Sequence, residues 1–511
     1  MSYEETEDGL TSALTDKKDE ENYDVVDFVR RRYSRAKSAR YNDESRWLQA
    51  YRNYRGLYGP DVQFTESEKS RVFIKVTKTK VLAAYGQLCD VLFSQNKFPI
   101  GIEPTTLPEG VVDTAHIDPK EPEEATSVQD PYGYAGDDKQ VGPGATTDSL
   151  INMLGPLEEE LKGIEKLKEG PGLTQTAITF HPAMVAAKKM EKKIRDQLEE
   201  SAATKHLRFS AFECVLLGTG IMKGPFAVDK EYARWAKGGK YDPVVKTTPK
   251  VEHVSVWNYY PDPDANSMDD ATYIVERHRM SRPQLRELKK RPFFIADSID
   301  YGESYTREWW EDDLDDDAYG GGEGSNTQGS DVERFEVLEF WGTIDRETAE
   351  EANLDIPKSL KTSDELQINC WVCNEHVLRL VINPFTPKRI PYFSCPYEIN
   401  PYSFFGVGLA ENMDDTQTLM NGFMRMAVDN AVLSGNLLIE VDESNLVPGQ
   451  DLTVYPGKIF RRQGGAPGQA IFGTKFPNVS NENMQLFDKA RQLSDESTGL
   501  PSFSYGQTGV S

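Results

Sequence analysis

The 511-residue chain contains no apolar run of eighteen or more residues, the length a helix needs to cross a bilayer, and no secretory leader. Cysteine is scarce, with five in all, which points to a reducing cytosolic compartment rather than a disulfide framework. Basic residues are outnumbered, 58 against 83 acidic, and the net charge of −25 has the wrong sign for a protein that grips nucleic acid by neutralising phosphates. Hydrophobic residues make up only 38% and charged residues 28%, so one large core is excluded for a chain long enough for about three domains.

Catalytic sets are missing as well. The run Gly218-Thr219-Gly220-Ile221-Met222-Lys223-Gly224-Pro225 departs from the phosphate-loop spacing: Lys223 precedes its glycine and no Ser or Thr stands beside it. It reads as glycines closing a helix ahead of a strand. The run Asp262-Pro263-Asp264 lacks the glycine and terminal Glu of a calcium loop and reads as a turn. Glu311 to Asp317 lies in low-complexity sequence running into glycines, and reads as a solvated loop rather than nuclease carboxylates. Cys370 and Cys373 form one C-x-x-C with His376 nearby, but residues three apart on a strand face opposite sides and only Cys395 is near as a third thiol. They read as buried small hydrophobes. With no nucleophile–base pair, phosphate loop or metal set, the chain is expected to be no enzyme and to need no cofactor or metal.

What is present is organised around residues 401–498. Met413, Met420, Phe423, Met424, Ala427, Val428 and Ala431 recur at three- and four-residue steps, which predicts one helix over Gly406–Asn436, about 45 Å long. Glu411, Asp414 and Asp415 favour its N-terminal end, and Gly406 and Gly408 allow a tight entry. Short β-prone pieces separated by Pro and Gly follow, as in a small strand-and-turn module. Helical spacing resumes at Met484, Phe487, Ala490 and Leu493, with Ser480 as N-cap and a stop at Thr498-Gly499-Leu500-Pro501.

Upstream, residues 1–22 are polar and acidic, and are expected to be mobile. Helices are predicted over Asp24–Arg40 and Asp43–Arg55; Arg30, Arg31 and Arg32 in the first read as ion-pair partners rather than a phosphate patch. A further helix over Val72–Phe93 is expected to bury Val81, Leu82, Tyr85, Leu88, Val91 and Leu92, ahead of a strand in FPIGIEP. Residues 104–172, rich in Pro, Gly and acids, read as a surface insertion with one short helix. Ala183–Leu217 reads as one long helix or two, Ser281–Lys290 as a short helix, and Val251–Met280, Val332–Thr343 and Leu366–Asn383 as strands.

The phrases IPYFSCPYEINPYSFFGVGLAENMDDTQTLMNGFMRMAVDNAV, RVFIKVTKTKVLAAYGQLCDVLFSQNKFPIGIEP, ECVLLGTGIMKGPF and WNYYPDPDANSMDDATYIVERHRMS carry a resemblance that spans most of the chain from about Tyr23. The chain resembles the portal proteins, ring-shaped head-to-tail connectors of tailed double-stranded DNA bacteriophages, of a podovirus-like kind. The resemblance implies an α+β portal fold assembled as a dodecameric ring. Its wing would comprise 23–103, 173–295 and 332–405, interrupted by the insertion 104–172 and the acidic, Gly-rich loop 296–331. A two-helix stem would be formed by 406–436 and 478–498, with a clip at 437–477 between them.

Residues 499–511 would begin the tunnel loop, placing Ser502, Tyr505 and Gln507 at the DNA channel. Lys458, Arg461 and Arg462 of the clip would meet DNA or acidic partners, with a charge-protected strand edge as the plain alternative. Met413, Met420, Phe423, Ala427, Ala431 and Ala490 would pack stem subunits. The chain stops at Ser511, whereas portal proteins of this kind continue into more wing and a helical crown.

The implied function is a channel at one capsid vertex for DNA packaging and ejection. Implied partners are the duplex, the major capsid protein, the large terminase and the head–tail adaptor and tail proteins, with no membrane. The location would be the virion, after assembly in the bacterial cytoplasm. Twelve copies would carry on the order of −300 formal charges, a wall that repels phosphate or simply keeps the chain soluble. The competing reading is an acidic capsid adaptor or scaffolding protein that does not enclose DNA.

Overall fold

The computed structural model describes residues 25–66, 68–93, 100–105, 115–117, 178–180, 182–235, 241–288, 290–291, 293–295, 307–319, 334–352, 354, 356–357, 360, 363–436, 438–464, 466, 468 and 470–501. The N-terminal tail 1–22, nearly all of the 104–172 insertion, the loop segments 296–306 and 320–331, and Ser502, Tyr505 and Gln507 lie outside these residues. The chain divides into two compact units, one of 1–94, 202–228 and 250–511, the other of 95–201 and 229–249.

The first unit opens with helix α1 (25–39), which Arg40 joins to α2 (Tyr41–Arg55). Arg40 is almost fully buried: its guanidinium donates to the carbonyls of Val256, Trp257 and Tyr259, pairs with Glu44 at 2.8 Å and lies 3.7 Å over the Tyr260 ring. A buried cation is tolerated when its donors are used in this way. Helix α3 (Val76–Phe93) follows, beginning four residues later than expected. Its buried residues are Thr77, Lys80, Val81 and Ala84, whereas Leu82 and Val91 are exposed, the latter by 78%. No strand forms in the described part of FPIGIEP.

In the second unit, strands β1 (Ala115–Ile117), within the insertion read as carrying one short helix, and β2 (Ile178–Phe180) pair antiparallel. Helix α4 (Pro182–Glu200) ends in a cluster in which Glu200 accepts from Tyr232 and Lys246. The stretch 183–217 is two helices: Ala202 takes a left-handed φ of 55°, and α5 (Ala203–Leu217) begins after it. Strands β3 (Thr219–Tyr232) and β4 (Val244–Val254) have residues in both units.

The first unit's main sheet is an antiparallel meander of β5 (Tyr259–Pro261), β6 (Tyr273–Ser281), β7 (Arg334–Asp345), β8 (Glu365–Cys373) and β9 (His376–Ile382). Between β6 and β7 lie α6 (Arg282–Leu288) and α7 (Trp309–Tyr319); α8 (Arg346–Glu351) follows β7. Alternation along the strands splits the sheet into two faces. Tyr273, Val275, Leu338, Phe340, Leu366 and Cys370 pack under α1, while Phe335, Val337, Trp371 and Cys373 pack with Leu285 and Leu288 of α6. Cys370 and Cys373 thus point to opposite sides and are buried in different clusters, as their spacing predicted.

The acidic run is not a solvated loop: Glu311–Asp317 lies within α7. Asp313 and Asp317 pair with Arg52 at 3.1 and 2.8 Å, and Glu311 with Arg277 at 3.3 Å. Arg307, just ahead of the helix, pairs with Asp312 and Asp315, but the run reads as unpacked because Arg52 and Arg277, which neutralise the rest, come from other parts of the chain.

A smaller sheet has the order β10–β3–β4, with β10 (Tyr392–Pro396) antiparallel to β3. The remaining elements are α9 (Leu409–Asn412), α10 (Asp414–Gly435), β11 (Leu438–Val441), β12 (Ile471–Thr474) and α11 (Ser480–Thr498). No described helix is long and apolar enough to cross a membrane.

Candidate functional site

Where 406–408 crosses the end of α5, side chains are excluded. A Cβ on Gly218, which has φ +93°, would lie 2.4 Å from the Gly406 carbonyl oxygen; one on Gly408 would lie 2.7 Å from that of Leu216. Gly406 donates its N–H to Thr219 Oγ1 at 2.9 Å. This crossing roots the helices that follow.

The predicted single helix is broken at Met413 into α9 and α10, so the continuous part starts eight residues later than expected. The carboxylates at the break are held by α2: Glu411 pairs with Arg46 at 2.7 Å, and Asp414 accepts from Asn53 at 2.7 Å. Further along α10, Gln417 is fully buried. It donates to the Ile74 carbonyl at 2.6 Å and accepts from Thr77 Oγ1 at 2.8 Å, while Asn421 accepts from the Ile74 N–H at 3.0 Å. Asp429 accepts from the Ser70 N–H, so residues 70–77 run beside α10. Gln417 and Asn421 were not singled out in the sequence. Their signal was a polar i,i+4 pair inside an apolar stripe.

Helix α11 packs antiparallel to α10. At its start Ser480 Oγ donates to the Ala427 carbonyl, a tie to α10 in place of the expected N-cap, and Val479 donates to Asn430 at 2.9 Å. At its end Gly499 takes φ 63°, and the carbonyls there converge on Lys80 of α3. Lys80 Nζ is 0% exposed in its side chain and donates to Ser494 O at 2.9 Å, Thr498 Oγ1 at 2.8 Å and Leu500 O at 2.9 Å, with Asp495 at 2.8 Å. Burial lowers its pKa, opposed by the Asp495 hydrogen bond. A cation at a helix C-terminus meets both the unpaired carbonyls and the negative end of the dipole.

Met413, Met420, Ala427 and Ala490 are buried within the single chain, so the close approach they allow is between helices of one chain. Phe423 is half-buried and Ala431 exposed. A second stripe, Leu419, Met426 and Leu433, spaced by seven residues, is exposed, and Leu486 and Leu493 repeat that spacing on α11. Leu433 is 56% exposed.

Between the helices the knob is less strand-rich than its composition predicts. Among its described residues β11 and β12 alone pair as strands, with one further bridge between Leu446 and Arg462. Asp442 caps a short turn by accepting from the Ser444 N–H, and Leu446 and Ala470 form its small interior. Lys458 is turned inward, paired with Asp451 at 3.2 Å and lying 5.0 Å from the Tyr455 ring centre, whereas Arg461 and Arg462 are exposed. Val454, Tyr455, Ile459 and Phe472 stand on the knob's outside, Ile459 at 80% exposure.

Among the described residues, one group has metal-ligand character: Glu276 and His278 of β6 with Glu339 of β7. The Lys223 ammonium already occupies it, 2.7 Å from Glu276 and 2.5 Å from Glu339, with Tyr392 Oη donating to Glu276 at 2.6 Å. Burial pushes the Glu339 carboxyl up, and Lys223 and His278 outweigh it, leaving the group well below the ordinary carboxylate range. For Lys223, burial pulls down and the two carboxylates outweigh it. The set is a buried ionic core that joins the smaller sheet to the main one.

The family model described as Phage SU10 portal protein matches residues 239–511. The match takes in the main sheet, the 406–408 side of the glycine crossing, both long helices and the knob between them, while α2, α3 and α5 with Gly218 precede it. Covering more than half of the chain, it establishes that the chain belongs to the phage SU10 portal protein family.

Proposed function

We propose that this chain forms the ring at one capsid vertex through which phage DNA is packaged and later ejected. In this reading α10 and α11 are the stem, the knob at 438–474 is the clip, and the main sheet with its helices is the wing. The observation that carries it is the uncovered apolar stripe at 419, 426 and 433, repeated at 486 and 493. Heptad-spaced apolar residues left open on paired helices are a surface that neighbouring copies cover, and heterologous contacts of that kind close into a ring.

The exposed knob faces outward as the dock for the terminase motor and then the tail adaptor. Arg461 and Arg462 are exposed there, where acidic partners would meet them, while Lys458 serves the knob's own fold. Ser502, Tyr505 and Gln507 follow α11 and would reach the channel in such a ring. The net charge of −25 per copy keeps the duplex from adhering to the wall. Native mass spectrometry under assembly conditions tests the reading. About twelve copies are expected, and a persistent monomer or dimer favours an acidic adaptor that encloses nothing.

A further inference from the structure

Two of the five cysteines are neighbours across 181 residues of chain. Cys214 lies in the last turn of α5, buried, with Sγ 3.2 Å from the Cys395 carbonyl oxygen; Cys395 lies on β10 and is exposed. In the β3–β10 register Cys395 stands opposite Gly220, and a Cβ on Gly220 would fall 3.1 Å from Cys214 Cβ. With no side chain at 220, nothing fills the space between the Cys214 side chain and the strand face that carries Cys395. The remaining cysteines do not share this arrangement: Cys370 and Cys373 are shut into separate clusters of the main sheet.

We propose that Cys214 and Cys395 form a reversible disulfide that covalently locks the end of α5 to β10, beside the Gly218–Gly406 crossing from which α9 and α10 depart. The reactants are the two thiols and a low-molecular-weight disulfide such as oxidised glutathione. The Cys395 thiolate attacks one glutathione sulfur, forming a mixed disulfide and releasing one glutathione thiolate. Cys214, giving its proton to solvent, then attacks the Cys395 sulfur and releases the second. The protein dithiol is oxidised, and one glutathione disulfide is reduced to two thiols.

The order of attack follows from the surroundings. Cys395 is reachable from solvent, and the hydrogen bond from Cys214 lowers its pKa, whereas the same contact and burial raise that of Cys214. The exposed thiolate is the entry point and the buried thiol the resolving one. Closing so long a loop constrains the unfolded chain strongly. On the portal reading the bond would stay open in a reducing cell and close after release, but the chemistry does not depend on that reading.

The test treats the full chain with oxidised glutathione, blocks free thiols under denaturing conditions and maps peptides by mass. The expected result is a linked peptide pair containing Cys214 and Cys395, with the free-thiol count falling from five to three and restored by reductant. In Cys214→Ser, a glutathione adduct should accumulate at Cys395 instead. The oxidised wild type should unfold at a higher temperature than the reduced one. Both cysteines remaining open to alkylation, a lasting adduct at Cys395 in the wild type, or equal unfolding temperatures would each overturn the proposal.

Discussion

At Lys223 one ammonium separates two buried carboxylates, and removing it leaves like charges side by side in a dry interior. Lys223→Met should therefore cost about 3–5 kcal/mol near neutral pH, read as a lowered urea midpoint. Glu339 titrates lower in the folded chain than its ordinary 4.5, so its contribution is complete above that value and is lost as pH falls through the lower folded one. Lys223 titrates above its ordinary 10.5, so the same interaction, counted from the other side, is complete below that value and lost as pH rises through the higher folded one. The variant reverses the acid behaviour. Without the lysine Glu339 takes up a proton more readily, and between about pH 7 and about pH 5 the variant should gain stability relative to wild type. A constant difference across that range contradicts the assignment. Lys80→Met strips the end of α11 of its donor and should cost about 2–4 kcal/mol by chemical denaturation; the figure is held below the buried-pair range because Asp495 is partly solvated.

Among the elements, periodicity revealed the long helices but not which of their residues are covered. The stripe through Met420 and Ala427 was legible because residues three and four apart share a face. The broken start at Met413 was not, because carboxylates bound to Arg46 and Asn53 shape that turn and no local preference signals such partners. In α3 the buried side contains Lys80 and leaves out Val91; the carbonyl cluster of α11, more than 400 residues away, decides that face. Helix α7 was hidden for the same reason, since Asp313 and Asp317 look like low complexity until Arg52 is placed beside them. The turn glycines around 218 and the opposed Cys370 and Cys373 were legible because strand and cap geometry are local.

Two substitutions separate the covered face from the open one. Ala490→Leu forces volume between α10 and α11 and should destabilise the single chain by about 1–3 kcal/mol. The paired change Met426→Ser and Leu433→Ser should leave the unfolding midpoint of the unassembled chain within about 0.5 kcal/mol. It should nevertheless abolish assembly in sedimentation velocity. Assembly that survives the serine pair removes the exposed stripe from the interface.

For the whole molecule, the sequence showed an acidic chain with no catalytic set, and the fold adds two antiparallel rods with a small knob between them, rooted at a glycine crossing in a sheet-based body. One copy leaves the outer sides of the rods and knob uncovered. The account stands on those surfaces meeting around an axis. Class averages of assembled particles viewed end-on test this most directly. Twelve-fold rings are predicted, with a central opening bordered by residues 414–435 and 480–498 and wide enough to pass a duplex. A filled centre, or rods on the outer rim away from any opening, would contradict it.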